Sequence, residues 1–178
     1  MNETKLTNHY TVADCKKALK SDDKEKIAEL IYQRFQERFI SPLDSIPKEK
    51  KHGFCIVAIC CLLIESLWAF KQGDITTKDK AFKEYFLHSS RLSPLADDKL
   101  DFYHNIRCSI LHQAETGGGW KIRRSGKLCD RTAKTINATK LLSSLKKELN
   151  DYREEIKKDI KTWENAKKKL MYICSISD

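Results

Sequence analysis

Three prolines and six glycines among 178 residues are too few for a low-complexity or collagen-like chain, and no internal repeat or biased segment is present. None of the seven cysteines (Cys15, Cys55, Cys60, Cys61, Cys108, Cys129 and Cys174) stands in a C-x-x-C pair, and three lie inside an apolar run. That spacing argues against a zinc ribbon and a disulfide framework; reduced thiols in a cytoplasmic setting are expected. The start, MNETKLTNHY, lacks the basic-then-apolar order of a leader, so export is not expected. Acidic residues are the scarcer charge: 25 Asp and Glu face 34 Lys and Arg, for a formal charge of +9. This excess raises the prior for a polyanionic partner through counterion release, although many lysines lie beside glutamates on a C-terminal helix.

The composition, 40% hydrophobic and 33% charged, fits a globular, helix-rich protein. A short helix opens at the capping box Thr11-Val-Ala-Asp14, and residues 1–22 read as an N-terminal arm or short helix before a main domain over 23–178. Ile27, Leu30, Ile31, Phe35 and Phe39 repeat at helical spacing. After a loop from Pro42 to Lys51, the unbroken apolar run from Phe54 to Ile64 continues past Glu65 to Phe70, seventeen residues in all. That is the short limit for a bilayer span and it contains a carboxyl, so a central bundle helix over 52–72 is expected and no membrane association. Ser93-Pro94 reads as the start of a helix over 94–114, ended by Gly117, Gly118 and Gly119. A β-hairpin is expected over about 119–130, turning at Arg123-Arg-Ser-Gly126. From the cap Asn137, Leu142, Leu145, Leu149, Tyr152, Ile156, Trp163, Ala166 and Leu170 mark one long helix over 138–172, interrupted only by Asp159. Its stripe can serve the same chain or a second copy. The fold class is mostly all-α, a helical bundle with a small hairpin insertion and a long C-terminal helix.

The chemistry concentrates in Phe102-Tyr-His-Asn-Ile-Arg-Cys-Ser-Ile-Leu-His-Gln113. A histidine titrates near neutrality and moves protons, while an arginine holds phosphate through a permanently charged fork of donors. Arg107 and His112, with four residues between them, resemble the HEPN superfamily, whose hallmark is Arg, four to six residues, then His near a helix end. The resemblance spans about residues 23 to 165, and Cys108 departs from the polar residue that members often place after the arginine. It implies a HEPN-like bundle and a metal-independent, cofactor-free endoribonuclease using the RNA 2′-hydroxyl as nucleophile. A cleft across a homodimer, and a toxin, stress or antiphage role with an antitoxin or defence partner, come with it. Carried over, His112 is general acid or base and Arg107 steadies the scissile phosphate. The alternative is a non-catalytic module that binds RNA or a nucleotide, or dimerises.

On an ideal α-helix five steps leave Arg107 and His112 about 140° apart. Glu65, a carboxylate in an apolar helix, is costly to bury unpaired, and Arg107 is its natural partner; an edge position is the open alternative. Asn105, seven residues before His112, would share its helical face and could orient substrate, or equally be an ordinary surface polar residue. Cys108 could act as a thiol nucleophile with His112, or simply pack as a small apolar side chain. His104, Trp120, Arg123, Arg124 and Lys127, with Arg131, could line an RNA-binding rim on which Trp120 stacks; equally, Trp120 anchors the insertion and the charges are solvated. The three glycines lack any Walker or GxGxxG spacing and read as a hinge.

Overall fold

The computed structural model describes residues 4–47, 49–74 and 80–177, and among them helix dominates, with one small sheet. The chain forms two compact units: residues 1–45, 67–77 and 149–178 make the first, and 46–66 and 78–148 the second. Two long helices, α4 (Gly53–Gln72) and α7 (Ala138–Lys158), contribute residues to each.

In the first unit α1 (Val12–Lys20) starts at the expected capping box: Thr11 Oγ1 accepts from the Asp14 amide, and Asp14 accepts from the Thr11 amide. Its face of Val12, Cys15, Ala18 and Leu19 is buried, and it packs against α2 (Lys24–Phe35) and α8 (Ile160–Ser177). The short helix expected in the N-terminal segment is thus present and packed into this unit. Helix α2 runs on through a π segment, Gln36–Ile40, into the short α3, Ser41–Asp44, so helix continues past Pro42. The single long C-terminal helix is corrected to two: α7 ends at Lys158, and Asp159 Oδ1 accepts from the Thr162 amide at 2.7 Å as the cap of α8. An aspartate with a short acceptor side chain competes for the next turn's amides, which is why the one polar interruption restarts the helix. The predicted stripe is buried within the chain, from Leu142 to Leu170.

In the second unit α4 presents two different sides. Ile56, Val57, Cys60, Leu63 and Ile64 are buried, but Phe54 and Leu62 are 38% and 39% exposed and Cys55 is exposed as well. The expectation of a helix enclosed all round is therefore corrected: one apolar row of α4 is open. By length and composition α4 is apolar enough to cross a bilayer. Helix α5 (Ala81–His88) packs Phe82 and Phe86 on Phe102, with ring centroids 5.5 and 5.0 Å apart.

Ser93-Pro94 opens only a 3₁₀ turn, Ser93–Leu95, not a helix to 114. Asp97 interrupts it: its Oδ1 accepts from the amides of Lys99 and Leu100, an Asx turn that satisfies locally the donors a helix would use. Helical structure resumes with a π segment, Tyr103–Cys108, followed by α6, Ser109–Gln113. The expected hairpin is also corrected. Strand β1 (Lys121–Arg123) pairs in parallel with β3 (Thr135–Asn137), and β2 (Cys129–Asp130) pairs antiparallel with β3, giving the order β1-β3-β2. Asn137 ends β3 and caps α7 as expected, its Oδ1 accepting from the Lys140 amide at 3.0 Å.

Candidate functional site

Glu65 on α4 and Arg107 in the π segment belong to the second unit and form the ion pair that their chemistry suggested. Arg107 Nε donates to Glu65 Oε1 at 3.0 Å, with the side chains 23% and 19% exposed. Partial burial alone would pull the guanidinium's pKa down, but the hydrogen bond and charge of Glu65 outweigh it, and the net shift is upward. This contact uses Nε, one of the guanidinium's five N–H donors, and the Cys108 side chain is hydrogen-bonded to the same guanidinium. Around the pair, the Arg107 guanidinium lies 5.5 Å from the centre of the Tyr103 ring. The Tyr103 phenol is raised above its ordinary range, first by its hydrogen bond with the Cys108 thiol and then by that group's charge. One turn back on α4, burial and the Glu65 carboxylate push up the Cys61 thiol.

The segment is not a regular α-helix. Ser109 N–H donates to the His104 carbonyl five residues back, which amounts to one inserted residue in the helical register. Two consequences follow from about 100° per residue. Asn105 and His112, seven apart in sequence, behave as six apart and leave a common face. His104 and His112, eight apart, behave as seven apart and come to within about 20° of each other. The structure uses Asn105 as a clamp instead: its Nδ2 donates to the Leu100 carbonyl at 2.7 Å, and its own carbonyl accepts from the Gly117 amide at 2.6 Å. A Cβ at Gly117 would lie 2.8 Å from Ser109 Oγ and 2.9 Å from Asn105 Oδ1, so this close approach requires glycine. The glycines act as a fitted return loop, entered through Ala114 in the left-handed conformation, φ 55°.

His112 is exposed near the end of α6, and none of the hydrogen bonds or ion pairs described joins it to Arg107 or Cys108. The structure thus gathers Arg107, Glu65, Tyr103 and Cys108, and no contact among the described residues ties His112 to them. His104 is exposed too, but held: its Nδ1 lies 3.0 and 2.9 Å from the two carboxylate oxygens of Asp101. Sequence reading missed Asp101 and Tyr103. The i, i+3 spacing of Asp101 and His104 was the available signal.

The basic rim divides. Arg123 and Lys127 are exposed. Arg124 is half-buried, with Nε 3.3 Å from Thr139 Oγ1 and a terminal nitrogen 3.4 Å from the Lys50 carbonyl. Arg131 pairs with Asp97 at 3.0 Å. Trp120 is 6% exposed and anchors the start of β1, so it presents no free ring for stacking. Among the described residues no group of three His, Cys, Asp or Glu side chains is placed to hold a metal ion. No family model matches the sequence, and neither the curated proteins nor the solved structures contain a significant match to the chain.

Proposed function

We propose that the chain is a HEPN-type endoribonuclease that cleaves RNA through attack of the 2′-hydroxyl, without a metal, in a toxin, stress or antiphage defence role. The observation that carries the reading is the Glu65–Arg107 pair. It fixes a permanently charged phosphate ligand on the helical segment that ends in an accessible histidine. In the reaction the 2′-oxygen bonds to phosphorus as its proton leaves, and the bond to the 5′-oxygen breaks. His112 serves in proton transfer and Arg107 offsets charge on the phosphoryl oxygens. The products are a 2′,3′-cyclic phosphate and a 5′-hydroxyl.

In this reading a second copy of the chain completes the pairing of His112 with Arg107 at one phosphate. The open apolar row of α4, with Phe54 and Leu62 on the same helix as Glu65, and the 48%-exposed Leu111 next to His112, supply apolar surface for such a homodimer. Exposed Arg123 and Lys127 provide backbone contacts for RNA. A cytoplasmic setting and an antitoxin or defence partner complete the proposal.

The test is cleavage of end-labelled total RNA and tRNA in excess EDTA by the wild type, Arg107→Ala and His112→Ala, with product ends identified. Cyclic-phosphate ends lost in both folded variants support the reading. Cleavage equal in all three, or in none, favours the second reading, a non-catalytic RNA-binding or dimerising module. The observation behind that alternative is that, among the described residues, no hydrogen bond or ion pair orients His112.

A further inference from the structure

Helices α1 and α8 of the first unit leave a groove of about 460 Å³ between them. Its lining repeats at helical spacing on both sides: Lys16, Leu19 and Lys20 come from α1, and Lys167, Met171, Cys174 and Ser175 from α8. Leu19 and Cys174 are buried and form the floor, while Met171 is 57% exposed, an apolar wall open to water. The lysines add aliphatic stems to this surface and carry their ammonium groups at the rim. Among the described residues no carboxylate lines the groove. Lys167 is bonded to Asp22 beside it, so its charge is already met. Lys16 and Lys20 also edge a second hollow with Lys17, and none of the hydrogen bonds or ion pairs described involves the exposed Lys20 side chain.

Charge and shape together narrow the occupant. A buried apolar floor under a basic rim fits a ligand with an apolar body and an anionic end, and the volume falls in the range of about 300–1,000 Å³ common to small-ligand sites. A partner helix anchored at i, i+4 and i+7 needs two turns of wall, but α1 lines the groove only from Lys16 to Lys20, about 6 Å of axis. A bilayer surface would need one apolar stripe along α8, yet its exposed Met171 and Ile176 lie about 140° apart around the helix. A slim, flexible chain meets neither obstacle.

We infer that this groove binds a single-chain anionic amphiphile, an acyl carboxylate of the fatty-acid class, with its tail against Leu19, Met171 and Cys174 and its carboxylate at Lys16 and Lys20. The tail supplies most of the affinity through apolar area removed from water, and the head supplies the preference for an anion. The site lies in the first unit and does not depend on the ribonuclease reading.

The chain has two methionines, Met1 and Met171, so carbon-13 labelling of methionine methyl groups gives the groove its own NMR signal in the full chain. Decanoate, hexanoate, decanol and decyltrimethylammonium are titrated below their micelle and solubility limits, and vesicles of phosphatidylglycerol with phosphatidylcholine separately. Decanoate should shift the Met171 methyl saturably. Hexanoate should bind at least about tenfold more weakly for its missing methylenes, and decanol about fivefold more weakly for its missing charge. The ammonium amphiphile should be weaker still. Lys20→Glu should weaken decanoate about fivefold and leave decanol unchanged, while Lys20→Arg should bind as the wild type does. Ser175→Phe, which fills the groove from an exposed position, should abolish binding of both. Overturning results are no saturable shift at millimolar decanoate, equal affinity for decanol or the ammonium amphiphile, or Lys20→Glu binding decanoate as the wild type does. A shift with vesicles but not with monomeric decanoate would make this a membrane-docking face and overturn the proposal as well.

Discussion

Breaking the Glu65–Arg107 pair from either side should destabilise the protein more than a surface pair would. Exposed pairs contribute about 0–1 kcal/mol, whereas stripping one partner from a fully buried pair costs about 3–5 kcal/mol. With side chains 19% and 23% exposed, this pair falls between, and Glu65→Ala should cost about 2 kcal/mol. For a chain of 178 residues that corresponds to about 4–8 °C in Tm. Glu65→Gln keeps the shape and an acceptor but drops the charge, and should cost about half as much. Replacing both residues by methionine should recover part of the loss, since no charge is then stranded. Urea unfolding of wild type, Glu65→Met, Arg107→Met and the double variant gives the coupling. A value inside about 0.5 kcal/mol, the scatter of independent sites, would refute the reasoning. Pairing raises the Arg107 pKa, so the stability linked to that shift is in place below arginine's ordinary value and is lost as pH rises through the raised one. In the cleavage assay Glu65→Gln should fall by up to about 100-fold as Arg107 loses its fixed position, with His112 untouched.

Three further outcomes follow from other parts of the molecule. The Tyr152 hydroxyl is fully buried and has no hydrogen-bond partner among the described residues; Tyr152→Phe should stabilise by about 1 kcal/mol and raise Tm by about 2–4 °C, and a lower Tm would contradict the packing. Gly117→Ala drives a Cβ to 3.2 Å from the Asn105 backbone as well as onto two polar side-chain atoms, and should cost about 1–3 kcal/mol by overpacking; unfolding curves superimposable on wild type would show that the loop does not seat there. Thr162 holds Asp159 below the ordinary aspartate range, so the stability it adds is present above that range and lost as pH falls through the depressed value. Asp159→Ala should therefore lower Tm at pH 7 and lower it less near pH 2 to 3, and a deficit independent of pH would show the cap to be idle.

Much of the fold was legible because its signals were local. Thr11-Val-Ala-Asp14 and Asn137 announced helix starts through their own side chains, and α4 followed from an apolar run too long for a strand. The misreadings arose where a longer-range partner decides. Lys127-Leu-Cys129 follows Trp120-Lys-Ile122 closely enough to suggest a hairpin, yet Thr135-Ile-Asn137 takes the place between the strands. Ile136 is fully buried and supplies the apolar residue that a two-stranded ribbon lacks. Asp159 was visible as an interruption, but whether an aspartate breaks a helix depends on which amide its carboxylate finds.

The candidate site was legible to the same degree and for the same reason. A carboxylate stranded in an apolar helix must find a cation, and Arg107 was the cation at hand. Neither Asn105 nor His104 could be placed, because angular bookkeeping at 100° per residue assumes an unbroken α-helix, and no residue type in Tyr103–Cys108 marks a π segment. That one extra residue removes Asn105 from the face of His112 and brings His104 onto it. His104 is thereby held by Asp101 at the start of the segment, while His112 stays exposed near the end of α6.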